Sequence, residues 1–318
     1  MCSPIRSWGR PRAWWSLAAM ACVAFAATAA SAGIEITDDF GRRVVLNRPA
    51  RRVIALAGAV NETLCGMGLT GLIAARTDAD REPAAVAALP SIGTHMRPNL
   101  ELVLAHRPDL VVQIAGRDES LEAALAIERM GIAVAVFEVH DFEGLFSMAE
   151  RLGALTGESA AAGRFVAGLR ERLARVSGVV SRADRRPTLM VELRYPNLLV
   201  AGAESMAADA AARAGGRLVP ETGGKVARLG EEELLRLNPE YYLVETGPMN
   251  PDPVPVSERP HFRELAAVSA GRVAVWSGTK LSRPGPGAVA GVEELARWLH
   301  PGLFPEGGPD VPAGEVRP

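Results

Sequence analysis

Short apolar runs alternate with amphipathic segments in the first half of the chain. Strand candidates are RRVIALAG (51–58), TGLIAAR (70–76) and IAVAVFEV (132–139). The segments AVNETLCGMG (59–68) and DESLEAALAIERMG (118–131) carry the spacing of helices. Strands that alternate with helices predict a mainly parallel sheet covered on both faces.

The pattern then becomes helical from residue 142 to residue 180, with one interruption at GALTGES (153–159). Apolar residues recur every three or four positions after the interruption, which marks one buried stripe. The stripe consists of Phe165, Leu169, Leu173, Val176 and Val180. A helix of roughly 23 residues from Glu158 would be about 35 Å long, enough to reach across a domain.

A second alternation of strands and helices follows the long helix. RPTLMVELRY (186–195) and RVAVWSG (272–278) are strand candidates, and ESMAADAAARAGG (204–216) and GPGAVAGVEELARWLH (285–300) are helix candidates. The expected fold is therefore α/β, with two lobes of mainly parallel sheet separated by one long helix.

One sequence motif, the Glu-Pro unit, occurs in both lobes. In ELVLAHRPDLVV (101–112) and EELLRLNPEYYLV (232–244), a Glu precedes a Pro by seven positions. An acidic residue and an apolar strand follow each Pro. The repeat favours a duplicated architecture with approximate two-fold symmetry. A carboxylate that begins a helix is also favoured by the helix dipole, by a few tenths to about 1 kcal/mol.

The first 32 residues have the three regions of an export signal. Arg6, Arg10 and Arg12 form a basic region, residues 14–28 are apolar, and residues 30–32 read Ala-Ser-Ala, a small-residue cleavage site. The apolar stretch is shorter than the ~20 residues of a membrane span. We expect a cleaved signal peptide at 1–32 and a soluble product in the periplasm.

The cysteines allow one alternative to a soluble periplasmic protein, which is a lipid-anchored one. Cys22, within the apolar part of the signal, would be the anchor point of a lipoprotein, which we favour less than cleavage after Ala32. Cys65 is the cysteine that remains after cleavage, and its apolar helical surroundings favour a small core residue.

The remaining chain of about 286 residues suits two lobes of about 100 to 150 residues each. The expected boundaries are an N-terminal lobe at 33–141, a connecting helical segment at 142–184, a C-terminal lobe at 185–305 and a flexible tail at 306–318. The net charge of -2 and the scattered signs argue against a nucleic-acid binder.

Motifs of catalysis are not found in the chain. GMGLTG (66–71) fits G-x-G-x-x-G, but it closes a helix and opens a strand, so it is interpreted as a helix end and turn. There is no G-x-S-x-G, H-E-x-x-H, C-x-x-C or Walker loop. The histidines are dispersed: His95, His106, His140, His261 and His300. An enzyme and a receptor for bare zinc are both disfavoured.

Five segments, in this order, resemble the metal-chelate branch of periplasmic substrate-binding proteins, which serve ABC importers for ferric siderophores, haem and cobalamin. They are RVIALAGAVNETLCGMG, LPSIGTHMRPNLELVLAHRPDLVV, RLGALTGESAAAGRFVAGL, AGAESMAADAAARAGG and SRPGPGAVAGVEELARWLHP. The resemblance implies two Rossmann-like lobes joined by one long helix, with the ligand in the cleft between them. It implies a receptor without catalytic activity or intrinsic cofactor, expected to be a monomer that docks on the importer's membrane subunits.

Ligands of open parallel sheets bind beyond the carboxyl ends of the strands, so the loops there carry the candidate site. Guanidinium groups pair with planar anions, which suits carboxylate or catecholate arms and haem propionates. The candidate ligand-binding residues are His95, Met96, Arg97, Arg117, Arg194, Tyr195, Trp276 and Arg283.

The identity of the chelate stays open at this stage, with a ferric siderophore or haem ahead of cobalamin. If haem is bound, His95 or Tyr195 would ligate its iron. Haem binders of the branch often carry a Tyr in the loop that is RTDADREP (76–83) here, and this chain has none there. Cobalamin binders favour aromatic walls, for which Tyr195 and Trp276 are the good candidates.

The resemblance also implies a role for the Glu-Pro units. In the branch, one surface Glu from each lobe pairs with arginines of the importer's membrane subunits. The seven-residue offset to Pro carries this role onto Glu101 and Glu232, although Glu231 and Glu233 are alternatives in the second lobe.

Overall fold

A computed structural model of the chain describes residues 33–116 and 118–304. The expected signal peptide with Cys22, the candidate Arg117 and the expected tail at 306–318 lie outside the described residues. Within those ranges, none of the helices combines the length and the apolar character that a membrane crossing requires.

The N-terminal lobe is built on a four-stranded parallel sheet in the order β4-β3-β5-β6. Its strands are β3 (Val53–Ala55), β4 (Ile73–Ala75), β5 (Leu110–Ile114) and β6 (Val134–Phe137). Its helices are α1 (Gly58–Gly66), α2 (Ala84–Ala87), α3 (Leu100–Ala105) and α4 (Asp118–Glu128). The apolar runs are buried because helices cover the sheet, which confirms the expected alternation.

An antiparallel hairpin precedes this sheet, formed by β1 (Ile34–Thr37) and β2 (Arg43–Leu46). Its residues alternate between buried and exposed, with Val44 and Leu46 facing the core. The hairpin was not predicted, although the alternation and the turn around Gly41 are signals of one.

Two helices lead from the first sheet to the second, α5 (Phe142–Thr156) and α6 (Ser159–Val180). Gly157 ends α5 in the left-handed region at φ 73°, which a glycine adopts without steric cost. The long helix α6 has 22 residues. Its buried stripe includes Leu169, Leu173 and Val176, as the spacing predicted.

The C-terminal lobe has a six-stranded sheet in the order β10-β8-β7-β11-β12, and β9 also pairs with β7. The strands are β7 (Thr188–Arg194), β8 (Leu199–Ala201), β9 (Arg217–Leu218), β10 (Val226–Arg228), β11 (Tyr241–Thr246) and β12 (Val273–Ser277). The helices are α7 (Met206–Arg213), α8 (Glu231–Leu237), α9 (Ala266–Ser269) and α10 (Gly287–Leu299). Strands β8 and β10 are antiparallel and were not predicted, so this edge of the sheet is mixed.

Each sheet is covered on both faces by apolar packing. The largest cluster of buried side chains includes Leu152 of α5, Leu169 of α6 and residues of both sheets such as Val112 and Val191. Smaller clusters cover the opposite faces, around Val111 in the N-terminal lobe and Tyr242 in the C-terminal lobe. The fold is thus two α/β lobes whose cores meet on the connecting helices.

The Glu-Pro units have the same local structure in both lobes. Glu101 is the second residue of α3, and Glu232 is the second residue of α8. Each helix is followed by a residue with positive φ, Arg107 at 45° and Asn238 at 38°, and then by a buried proline. Each proline leads into a central strand, β5 or β11.

The acidic residue after each proline accepts hydrogen bonds from the backbone at the start of the neighbouring strand. The Asp109 carboxylate accepts hydrogen bonds from the backbone N–H groups of Arg51 and Arg52, just before β3. The Glu240 carboxylate accepts one from the backbone N–H of Thr188 at 2.9 Å, the first residue of β7. Both acids satisfy backbone donors at the same place in each lobe, so the repeat in the sequence is also a repeat in structure.

Candidate functional site

A cleft of about 730 Å³ lies between the two lobes. Its walls are mainly the loops that follow β3, β4, β5 and β6 on one side and β11 and β12 on the other. Leu193 of β7 and residues 204–206 and 225–226 complete the C-terminal side. These loops leave the carboxyl ends of the strands, where open parallel sheets bind ligands. The volume falls in the range of small-molecule sites, which is about 300 to 1,000 Å³.

On the N-terminal side, the cleft contains a buried carboxylate, Asp80, which is 2% exposed. Its Oδ2 accepts hydrogen bonds from Nδ2 of Asn61 at 3.2 Å and from the backbone N–H and the hydroxyl of Thr77, both at 2.9 Å. A Cβ on Gly58 would lie 2.5 Å from Oδ1 of Asp80, so the start of α1 approaches closely because it is glycine. These contacts fix the carboxylate in place.

On the C-terminal side, Glu245 near the end of β11 supplies a second buried carboxyl, 5% exposed. Its Oε1 accepts a hydrogen bond from the backbone N–H of Ser282 at 3.1 Å. Within the described part of the chain, the carboxyl forms no ion pair. Burial raises the pKa of Glu245 to about 7, and the contact with Ser282 opposes that rise without cancelling it.

Arg283 and Glu62 connect the two sides of the cleft. Nη1 of Arg283, in the loop after β12, donates to Oε1 of Glu62 on α1 at 2.6 Å. Burial raises the pKa of Glu62, and the guanidinium of Arg283 partly offsets that effect. The positive charge of Arg283 is therefore already compensated within the protein.

Three side chains from the N-terminal lobe add nitrogen and sulfur atoms to the lining. His95 is exposed, Met96 is half-buried, and His140 follows β6. Nδ1 of His140 is buried and has no hydrogen-bond partner among the described residues, and its Nε2 lies 3.7 Å from the Glu138 carboxylate. No described cluster of three or more His, Cys, Asp or Glu residues has the arrangement of a metal site.

The cleft brings together only part of the expected site. His95, Met96 and Arg283 line it, whereas Arg97 and Arg194 are exposed outside its lining. Arg194 is the last residue of β7, at the exposed end of the strand.

Tyr195 and Trp276 were expected to bind the ligand, but both aromatic rings pack inside the C-terminal lobe and neither residue lines the cleft. The Tyr195 ring meets Phe262 edge-on at 5.8 Å and lies 4.1 Å below the guanidinium of Arg259. Trp276 is 6% exposed and packs on Trp298 at 6.0 Å. No Phe, Tyr or Trp belongs to the lining formed by the described residues.

The charges of the lining also differ from the expected cluster of arginines. Lys225 is exposed, and its Nζ donates to the backbone oxygen of Ala115 at 3.4 Å, across the cleft. Lys280 pairs with Glu294 outside the lining at 2.6 Å. Carboxyl groups come from Asp80, Glu204 and Glu245. Among the described lining residues, carboxyl groups therefore outnumber cations that lack a partner.

Glu245 and Asp80 were missed by the sequence analysis, although the same rule that pointed to the arginines would have found them. Glu245 directly follows the apolar run YYLV of β11, and Asp80 lies in the loop after β4. A polar residue at the carboxyl end of a buried strand is the signal. The expectation of an anionic ligand favoured arginines over acidic residues at these positions.

The two expected docking residues lie on the surface. Glu101 and Glu232 are both exposed, and neither forms an ion pair with another described residue. Glu233 differs, because Arg236 donates to both of its oxygens at 2.8 and 2.6 Å and holds its pKa below the usual value. Glu231 is exposed at the first position of α8, one residue before the place that Glu101 occupies in α3.

Comparison with known proteins is consistent with this geometry. A family model described as periplasmic binding protein matches residues 53–279. The uncharacterised ABC transporter substrate-binding lipoprotein YvrC of Bacillus subtilis (strain 168) is 22% identical over 280 residues, which cover 86% of this chain and 87% of that protein.

Two solved structures have the same fold. An ABC-type Fe3+-hydroxamate transport system protein from Saccharomonospora viridis DSM 43017 is 26% identical, with a TM-score of 0.68, and the match covers 83% of this chain and 98% of that one. A periplasmic haem-binding protein from Pseudomonas aeruginosa is 24% identical, with a TM-score of 0.72, over 80% and 95% of the two chains. The likeness to the haem-binding protein concerns the fold alone.

Proposed function

Because this chain belongs to the periplasmic binding protein family, we propose that it captures an iron chelate between its lobes and delivers it to an inner-membrane ABC importer. The observation that carries the proposal is the 730 Å³ cleft, whose walls come from the strand ends of both lobes. Capture needs affinity and docking but no chemical reaction, so the protein acts as a receptor and not as an enzyme.

The proposed chelate is a ferric siderophore or haem, with cobalamin as the alternative of the same branch. The apolar part of the lining comes from aliphatic and thioether side chains such as Leu56, Leu193, Met96 and Met249. These side chains contact the organic part of a chelate, while the polar groups at the strand ends orient it. The likeness to the Fe3+-hydroxamate transport protein supports the siderophore.

We propose that the protein works in the periplasm after removal of residues 1–32, as a monomer with a lobe at 33–141, a connecting segment at 142–184 and a lobe at 185–305. The substrate-binding lipoprotein YvrC supports a place outside the cytoplasm. Anchoring through Cys22 is the alternative, and mass spectrometry of the mature protein separates the two, because an anchored form begins at Cys22 and carries lipid.

We propose that the importer contacts the Glu-Pro units. Glu101 and Glu232 are exposed and occupy the same second position of a short helix in each lobe. Glu233 is paired with Arg236, which leaves its charge compensated. Glu232 is thus the counterpart of Glu101, and a two-fold symmetric pair of membrane subunits would meet both residues in the same way.

A thermal-shift screen of the purified mature protein tests the proposed function. A ligand that binds the folded state raises the melting temperature. At a hundredfold excess over the Kd, it adds about 2.7 kcal/mol to the free energy of unfolding. The screen contains haem, cobalamin and ferric siderophores of several classes. A rise with at least one iron chelate is expected. A rise with cobalamin alone would support the alternative, and no rise with any compound would refute chelate capture.

A further inference from the structure

Resting on the proposed function, we propose that the cleft selects its ligand by charge. It accepts a neutral or cationic ferric chelate that places an ammonium or another hydrogen-bond donor against the carboxyl group of Glu245, and it rejects polyanionic chelates. The proposal assigns Glu245 as a specificity-determining residue.

The first argument is the setting of Glu245. Its carboxyl group is buried in the cleft wall, and Oε1 is held by the backbone N–H of Ser282 at 3.1 Å. Oε2 lies against Gly278, where an added Cβ would be 3.3 Å away. A buried carboxyl accepts up to four hydrogen bonds and is costly to bury without them. A donor on the ligand supplies what the described protein groups leave open.

The second argument is that the cationic side chains expected to bind an anionic ligand are either paired with carboxylates or lie outside the lining. Arg283 lines the cleft, but its Nη1 is bound to Glu62 at 2.6 Å. Lys280 is bound to Glu294 at 2.6 Å, outside the lining. Arg97 and Arg194 lie outside the lining. Pairing a ligand carboxylate with Arg283 would leave Glu62 half-buried without its partner, which is unfavourable.

The third argument is repulsion. Asp80 is 2% exposed and held by the Asn61 and Thr77 donors, so its carboxylate cannot turn away from a ligand. Glu204 adds another carboxylate to the lining, which also contains the ammonium of Lys225. Like charges interact more strongly in a partly dry cleft than in water. A ligand with several negative charges therefore meets an unfavourable potential.

The fourth argument concerns shape and surface. Flat macrocycles bind well on aromatic faces, and the described lining contains no Phe, Tyr or Trp. Met96, Met206 and Met249 line the cleft instead. Thioether side chains adapt to irregular surfaces. A compact chelate with aliphatic arms and a neutral or positive charge, such as a ferric trihydroxamate, matches these walls.

Competition among defined probes tests the proposal on the unmodified mature protein. The probes are ferrioxamine B, a cationic trihydroxamate; ferrichrome, a neutral trihydroxamate; ferric enterobactin, a trianionic catecholate; and haem, with its two propionates. Titration at pH 8 measures the Kd of each. Ferrioxamine B and ferrichrome are expected to bind at least about tenfold more tightly than either anionic probe, a difference within the reach of charge complementarity.

Variants then test the role of Glu245. Glu245→Gln keeps the size of the side chain and removes the charge, and it is expected to weaken ferrioxamine B by about tenfold or more, as loss of a charge-assisted hydrogen bond does. Ferrichrome is expected to lose less. Glu150→Gln, at an exposed residue of α5 outside the cleft lining, is the matched control and leaves every Kd unchanged.

The outcomes distinguish this inference from the proposed function. Tighter binding of ferric enterobactin or haem than of both hydroxamates would overturn charge selection and would leave chelate capture standing. An unchanged Kd of ferrioxamine B in Glu245→Gln would remove Glu245 from the site. The ranking of the probes on the unmodified protein decides the charge question even if the variant folds poorly. Failure of all four probes to bind would overturn this inference, and the absence of a thermal shift with every compound of the wider screen would refute the proposed function as well.

Discussion

Arg283 and Glu62 are 221 positions apart in sequence and form an ion pair across the cleft, with Nη1 of Arg283 2.6 Å from Oε1 of Glu62. The loop that carries Arg283 also brings Gly285 onto α1, where an added Cβ would lie 2.7 Å from Oε2 of Glu62. The pair thus links the C-terminal lobe directly to the N-terminal lobe, within the cleft.

We predict that this pair stabilises the folded protein. Removing either partner leaves the other half-buried without its counter-charge, so Glu62→Gln and Arg283→Met should each lower the free energy of unfolding by about 1 to 3 kcal/mol. A double-mutant cycle measured by urea denaturation isolates the coupling. The exposed pair Arg175–Glu171 of α6 serves as the control, and its coupling should be within experimental error. Equal coupling in the two pairs would contradict the prediction.

Glu245 predicts a specific pH dependence of stability. Its pKa is raised from 4.5 to about 7 in the folded protein, mainly by burial. Below pH 4.5 the carboxyl is protonated in both states, so its contribution to stability is fully present. As the pH rises towards and through 7, the unfolded chain ionises first and this contribution is lost.

The test compares the native protein with Glu245→Gln, whose amide does not titrate. The free energy of unfolding of the native protein should fall relative to the variant between pH 5 and pH 8, on the order of 2 to 3 kcal/mol. Glu62, whose pKa is also raised, is present in both proteins and cancels in the comparison. A constant difference across this range would mean that Glu245 ionises normally in the folded state.

A buried ion pair in the C-terminal lobe gives a third prediction. Nη2 of Arg259 donates to Oε1 of Glu192 at 3.0 Å, both side chains are fully buried, and the hydroxyl of Tyr242 donates to Oε2 at 2.6 Å. Arg259→Met would leave the Glu192 carboxylate uncompensated and should cost about 3 to 5 kcal/mol.

Chemical denaturation of three variants checks this prediction. Adding Glu192→Gln to Arg259→Met should restore part of the loss, because the uncompensated charge is then gone. Tyr242→Phe removes a single donor and should cost about 1 to 3 kcal/mol. An Arg259→Met variant as stable as the native protein would mean that the Arg259–Glu192 pair does not contribute to the free energy of unfolding.

Much of the fold could be predicted from the sequence because it rests on local periodicity. The stripe along α6 and the strand candidates around Val53, Leu110 and Leu189 correspond to observed elements. The strands β8, β9 and β10, with two or three residues each, were not predicted. Their pairing is decided by tertiary contacts.

The site was less predictable because the partner of a charged residue is not visible in the sequence. Arg283 lines the cleft, but nothing near it in the chain shows that Glu62 compensates its charge. Tyr195 follows a strand, as a cleft residue would, yet Phe262 and Arg259, much later in the chain, draw its ring into packing. The loops could be located from the sequence; the direction of each side chain could not.

The last prediction concerns Glu101 and Glu232. A helix-end carboxylate explains a Glu at either place, since the dipole favours it by up to about 1 kcal/mol. It does not explain why both residues are exposed, lack an ion pair with another described residue and occupy the second helical position in both lobes. Docking on a symmetric pair of membrane subunits accounts for all of these features.

The double variant Glu101→Arg with Glu232→Arg should therefore keep its ligand affinity and lose most of its transport. Uptake of the iron chelate, measured with importer in vesicles, should fall steeply, and salt-sensitive binding to the importer should disappear, because reversed charges repel the subunits' cations. Glu150→Arg, an exposed charge reversal on α5, controls for net charge and should transport normally. Normal uptake by the double variant would refute docking at these residues, and a loss of ligand affinity would instead assign them to the fold or the cleft.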